Sequence, residues 1–182
     1  MPAAASELIE VHVPDLRRLF NAIDPSPLSS KDLDPKVEEF VVSWARALSR
    51  DAHIAFVFIA DSHAGESEIA AVREAVPAYF RERSLSAGRR LSQLFRVGRT
   101  SLLIGVVFLA VAITLAGLID RALGTRRVAA LIHESMVIGG WVAMWRPLEI
   151  FLYDWWPIRA ERKLFERLSA APIQIRFSAA PK

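Results

Sequence analysis

Between Arg99 and Asp120 the chain runs from Thr100 to Ile119, twenty residues, without one charged side chain. Wound as a helix at 1.5 Å per residue, such a run is about 30 Å long, the thickness of bilayer hydrocarbon. A second apolar stretch begins at Val128 and reaches Trp145. It carries Trp141 and Trp145 near its end, where aromatic anchors sit at a membrane interface. These two stretches predict an α+β membrane protein: a two-helix transmembrane hairpin, with spans 100–123 and 128–147, beside a small cytoplasmic α/β domain built from both termini.

The chain has 182 residues, room for one modest soluble domain besides the hairpin. Its apolar fraction of 53% barely exceeds the globular norm of about 45–50%, so the excess is local. Cysteine is absent, which removes disulfide scaffolds, thiolate metal sites and thiol catalysis. The first ten residues have neither a basic n-region nor a long apolar core, so the internal spans are expected to do the targeting. The sequence pI near 9.7 would suit nucleic acid, but the charges sit elsewhere. Arg81, Arg83, Arg89, Arg90, Arg96 and Arg99 crowd the approach to the first span, and Arg146, Arg159, Arg162, Lys163 and Arg167 follow the second. The connecting loop holds Arg121, Arg126 and Arg127. That asymmetry predicts cytoplasmic termini and an external loop, hence an inner-membrane, multi-pass protein with the bilayer, not nucleic acid, as its partner.

Residues 1–80 are expected to form the cytoplasmic α/β domain. Leu8–Val13 alternates like a half-buried strand that Pro14 ends. Asp15 then caps a short amphipathic helix with Leu16, Leu19, Phe20 and Ile23 inward. The two prolines of Asp24-Pro25-Ser26-Pro27 disfavour regular structure. Asp34-Pro35 reads as an N-cap with proline at N1, and Val37, Phe40, Val41, Trp44 and Leu48 as the core stripe of the helix that follows. His53–Ala60, apolar almost throughout, predicts a central strand covered on both faces. A helix with Ile69, Val72, Val76, Tyr79 and Phe80 inward comes next, kinked or restarted at Pro77. Residues 171–182 form a C-terminal strand and tail that rejoin this domain.

Residues 81–99 read as a basic juxtamembrane helix with Leu91, Leu94, Phe95 and Leu102 along one side. His133 and Glu134 fall inside the second span, where a carboxylate costs roughly 2.5–3.5 kcal/mol unless it faces protein or water. A later register, Met136–Tyr153, would free both but bury Arg146 and Glu149. Gly105, Gly117, Gly139 and Gly140 permit close helix approach. Residues 148–170 are expected to be an interfacial aromatic and basic helix. Trp145, Arg146, Glu149, Tyr153, Asp154, Trp155 and Trp156 are the partner-binding candidates, because Trp, Tyr and Arg dominate binding hot spots.

With Arg99-Thr100-Ser101-Leu102-Leu103-Ile104-Gly105, Trp145-Arg146-Pro147 and Trp155-Trp156-Pro157, and more loosely with Val13-Pro14-Asp15-Leu16 and Asp24-Pro25-Ser26-Pro27, the chain resembles small uncharacterised bacterial inner-membrane proteins with two spans. That resemblance implies location and topology and carries over no catalytic residue. Hydrolase, phosphate-loop and dinucleotide motifs are missing. Asp61, Ser62 and His63, between a strand and a helix, are the best enzymatic candidates, and turn chemistry explains them as well. No cofactor or metal is expected. The sequence therefore predicts a non-catalytic accessory or scaffold subunit that binds another membrane protein or itself. The alternative is an oligomeric ion or proton conduit using His133 and Glu134.

Overall fold

The computed structural model describes residues 6–49, 52–123 and 127–178, a mixture of long helices and one small parallel sheet. The chain divides into two units, one of Met1–Ser86 with Ala160–Lys182 and the other of Ala87–Arg159. Strands β1 (Ser6–Val13), β2 (His53–Ala60) and β3 (Ile173–Phe177) lie in the order β1-β2-β3. Both ends of the chain thus build one sheet, as the alternation at Leu8–Val13 and Ile173–Phe177 predicts.

Register puts Phe56 between Ile9 and Ile173, Phe58 between Val11 and Ile175, and Ala60 between Val13 and Phe177. Parallel strands need long crossovers. Helix α1 (Pro35–Ala47) lies in the first. The second runs through α2 (Glu66–Leu123), α3 (Arg127–Glu149) and α4 (Trp155–Ser169). Both crossovers step to the next strand in the same direction, so right-handed connections place their helices on one face. In agreement, Val41 and Ala45 of α1, Val72, Val76 and Phe80 of α2, and Leu164, Phe165 and Leu168 of α4 share a core with Phe56 and Phe58. β2 is buried on both faces, as its nearly unbroken apolar run predicts. On the opposite face Ala55 and Val57 are buried, but Leu8, Glu10, Gln174 and Arg176 beside them are exposed. Ala55 and Val57 stand outside the buried cluster that the helices share with Phe56 and Phe58.

Three local expectations are corrected. The amphipathic helix after Asp15 is only a 3₁₀ turn, Leu16–Leu19, capped by Asp15, which accepts from the Arg17 N–H at 2.9 Å. Leu16, Leu19 and Phe20 are buried, whereas Ile23 is 89% exposed. The helix does not restart at Pro77, since α2 continues through it. Trp44 is not core: it is 51% exposed and pairs with exposed Phe40 at 6.2 Å between ring centroids. Helix α1 instead turns Val41, Val42 and Ala45 to the sheet. The small Ala45 allows close helix–sheet approach, and a stripe drawn through the largest apolar residues misses it.

The expected cap of α1 is present, with Asp34 accepting from the Lys36 N–H at 2.9 Å. Its Glu38 ties α1 to α2. The Tyr79 hydroxyl donates to Glu38 Oε2 at 2.6 Å, and Arg83 Nε donates to Oε1 at 2.7 Å. Burial, then this bond to Glu38, raises the pKa of the Tyr79 hydroxyl. The Arg83 guanidinium lies 5.8 Å from the ring centroids of both Tyr79 and Phe165, which brings α4 into the same contact.

Candidate interaction segment

Helix α2 carries the basic stretch and the uncharged run in one piece, and among the described residues it is the helix long and apolar enough to cross a bilayer. Its most apolar stretch is only 17% buried. What is buried is small. A Cβ added at Gly98 would lie 2.8 Å from Ile150 Cγ2, and one at Gly105 would lie 3.0 Å from Met144 Sδ and 3.3 Å from the Ala143 carbonyl oxygen. One at Gly140 would collide with Leu109. As position rises along α2 its neighbour falls along α3, so the two helices pack antiparallel within this unit. Gly117 and Gly139 have no such neighbour.

Pro147 explains part of the contact. It has no N–H to give Ala143, four residues back, so that carbonyl lacks its helical donor. Gly105 is the residue facing it, close enough for a Cα–H to approach the oxygen.

After Pro147 the helix widens into a π-turn, Ile150–Asp154, a feature frequent at functional sites. A straight α-helix, at 3.6 residues per turn, would set residue i+8 about 80° around the axis. The wider π-turn takes up that excess. Arg146 Nη1 therefore donates to Glu149 Oε2 at 3.1 Å and also pairs with Asp154 Oδ2 at 3.3 Å. Trp145 Nε1 donates to the other Glu149 oxygen at 3.1 Å. Four of the seven partner-binding candidates are thus one connected group. Trp155 belongs to a second cluster: its Nε1 donates to the Phe151 carbonyl at 2.9 Å, Phe95 stands 6.4 Å away, and Arg159 lies 5.5 Å over its ring. Trp156 joins through Trp155 at 5.4 Å, and Tyr153 stands apart, 71% exposed.

Residues 148–170, expected as one interfacial helix, divide between the π-turn and α4, and Leu164, Phe165 and Leu168 of α4 are core of the sheet unit. Gly98 and Phe95 both pack on this segment, a pairing that sequence reasoning does not single out. Their signal was a lone glycine three residues after an aromatic in an otherwise basic helix.

His133 and Glu134 are both exposed, with no partner among the described residues. Beside them Phe108, Ala112, Leu131, Ser135, Met136 and Gly139 line an open apolar groove of about 360 Å³. Neither ionisable residue lines it. At the far end of the sheet, Ser62 Oγ donates to the Pro14 carbonyl at 2.9 Å, and the His63 ring stacks on Phe177 at 5.1 Å. The Asp61 N–H donates to the Val13 carbonyl at 3.2 Å, and nothing aligns the serine with the histidine as nucleophile and base. Among the described residues no three acidic or histidine side chains gather as a metal-ligand set.

Comparison with protein-family models, with curated proteins and with solved structures finds no match to this chain.

Proposed function

We propose that this is a non-catalytic integral membrane protein that crosses a bacterial inner membrane twice as a helical hairpin, with both termini cytoplasmic. Its role is that of an accessory or scaffold subunit that binds another membrane protein through its α/β domain and the aromatic segment from Trp145 to Trp156. The observation that carries the reading is the low burial of α2's uncharged run. A soluble core helix of that composition would be covered by protein, whereas hydrocarbon covers it without cost. The aromatic segment supports the partner: Trp145, Tyr153 and Trp156 are each more than 60% exposed, beside a π-turn that fixes their setting.

Two experiments test this. Because the chain has no cysteine, Glu10→Cys, Thr125→Cys and Gln174→Cys give clean accessibility probes. In intact cells an impermeant thiol reagent should label position 125 alone; labelling of 10 or 174 overturns the topology. Purification in mild detergent should then retain a co-purifying membrane protein that is lost in Trp156→Ala and Tyr153→Ala. A chain that always elutes alone sinks the scaffold reading. A conduit using His133 and Glu134 draws on both being exposed and without a partner among the described residues; unchanged proteoliposome flux in Glu134→Gln removes it.

A further inference from the structure

Within the helical unit α2 has two faces above its uncharged run. Gly98 is buried against Ile150, and Phe95 packs near Phe151 and Trp155. On the other face Ser92, Arg96, Arg99 and Thr100 are exposed. Neither Arg96 nor Arg99 has an ion-pair partner among the described residues, and no carboxylate occurs on α2 from Ala87 to Ile119. The acids of the facing segment, Glu149 and Asp154, are both held by Arg146. Two guanidinium groups at i and i+3 therefore share one face without a counter-charge.

Height along the helix pair says which anion fits. Packing of Gly98 against Ile150 sets Arg96 and Arg99 level with the π-turn, which carries exposed Tyr153 and leads into Trp155 and Trp156 of α4. Tyr and Trp mark the headgroup level of a bilayer. Directly below the two arginines, at i+4 and i+7 from Arg99, the same face continues as Leu103 and Val106, then Val107, which are 65%, 49% and 55% exposed. A cationic head site running into an apolar stripe matches a phospholipid, not a free anion. We propose that Arg96 and Arg99 form a site for the headgroup phosphate of an anionic glycerophospholipid whose acyl chain lies along Leu103, Val106 and Val107. Paired guanidinium forks suit a phosphate better than ammonium groups do. This rests on the membrane reading above.

The test uses the full chain in dodecyl maltoside. Phosphatidylglycerol and phosphatidylcholine of matched acyl chains are titrated separately and thermal unfolding is followed, with inorganic phosphate and deacylated glycerophosphoglycerol as head-only controls. At about 1 kcal/mol per arginine beside an anionic surface, two arginines correspond to a preference of about 30-fold for the anionic lipid. Arg96→Gln/Arg99→Gln should reduce that preference to within about twofold at unchanged Tm without lipid, and Arg96→Lys/Arg99→Lys should keep part of it. Equal response to both lipids, an undiminished preference in the glutamine variant, or full reproduction by either head-only control overturns the proposal. Carbonate extraction keeps the two readings apart. Release of the chain from membranes sinks the membrane reading, whereas retention without lipid preference sinks only this site.

Discussion

The two units of this protein bury opposite kinds of residue. In the sheet unit the covered side chains are large: Phe56, Phe58 and Phe80 are at most 1% exposed. In the helical unit Ala112, Ala116 and the glycines at 98 and 140 face inward, while Leu103, Ile104, Trp141 and Val142 stand at least 64% exposed. Pro147 and Ile150, both buried, are exceptions among the described residues. Water drives the first pattern, because burying large apolar area stabilises a fold there. The second suits hydrocarbon, which is as apolar as leucine and leaves close backbone approach to hold helices together. One chain carries both patterns, and the boundary falls inside the continuous helix α2.

The most severe test of that contrast is a pair of truncations read by denaturation in detergent. Phe56→Ala removes a ring stacked on Phe58 at 5.7 Å and on Phe80 at 6.0 Å, and should cost about 3–5 kcal/mol. Leu103→Ala should change stability by less than about 0.5 kcal/mol. Comparable losses at the two positions would break the comparison.

Next come the glycines, where the sign itself should differ. Gly98→Ala drives a methyl against Ile150, which is fully buried and has no room to yield, so a loss of about 1–3 kcal/mol is expected. Gly139→Ala meets open space and should gain up to about 1 kcal/mol from helix propensity. Melting temperatures measured side by side decide it. A stable Gly98→Ala protein would mean that α2 and α3 do not depend on close approach there.

How much of this was legible beforehand follows the same division. Strands β1, β2 and β3 and the Asp34-Pro35 helix start were readable, because alternation and capping are local signals. Trp44 shows that size does not predict burial, since it is half exposed while the small Ala45 is buried and lets α1 approach the sheet. The group formed by Trp145, Arg146, Glu149 and Asp154 was recognisable as a composition but not as a geometry. Linking Arg146 to Asp154 needs a π-turn, and no periodicity rule built on 3.6 residues anticipates one. Likewise Gly98 became meaningful only with Ile150 beside it, across fifty-two positions of sequence. Trp44→Ala sharpens the point: it should cost no more than about 1 kcal/mol, the worth of its ring contact with Phe40. A loss of several kcal/mol would restore it to the core.

The smallest effect concerns the double-proline segment of the sheet unit, where one carboxylate adds two hydrogen bonds to the packing of Leu28 and the backbone bond from Asn21 to Asp32. Asp24 Oδ2 accepts from the Asp32 N–H at 2.8 Å, and Oδ1 accepts from the Ser26 N–H at 2.9 Å. The bond from Asp32, followed by those from Ser26, holds the Asp24 pKa down to about 2. An unfolded aspartate titrates near 3.9. The folded value is the lower one, so the contribution is fully present above about pH 4 and is lost as pH falls towards 2. Asparagine has one accepting oxygen where Asp24 uses two, so Asp24→Asn should be slightly less stable at neutral pH and should lose less on acidification. Subtracting the two melting-temperature profiles between pH 5 and pH 2 isolates this one group. Parallel profiles would mean that the loop between Asn21 and Asp32 draws no stability from this carboxylate.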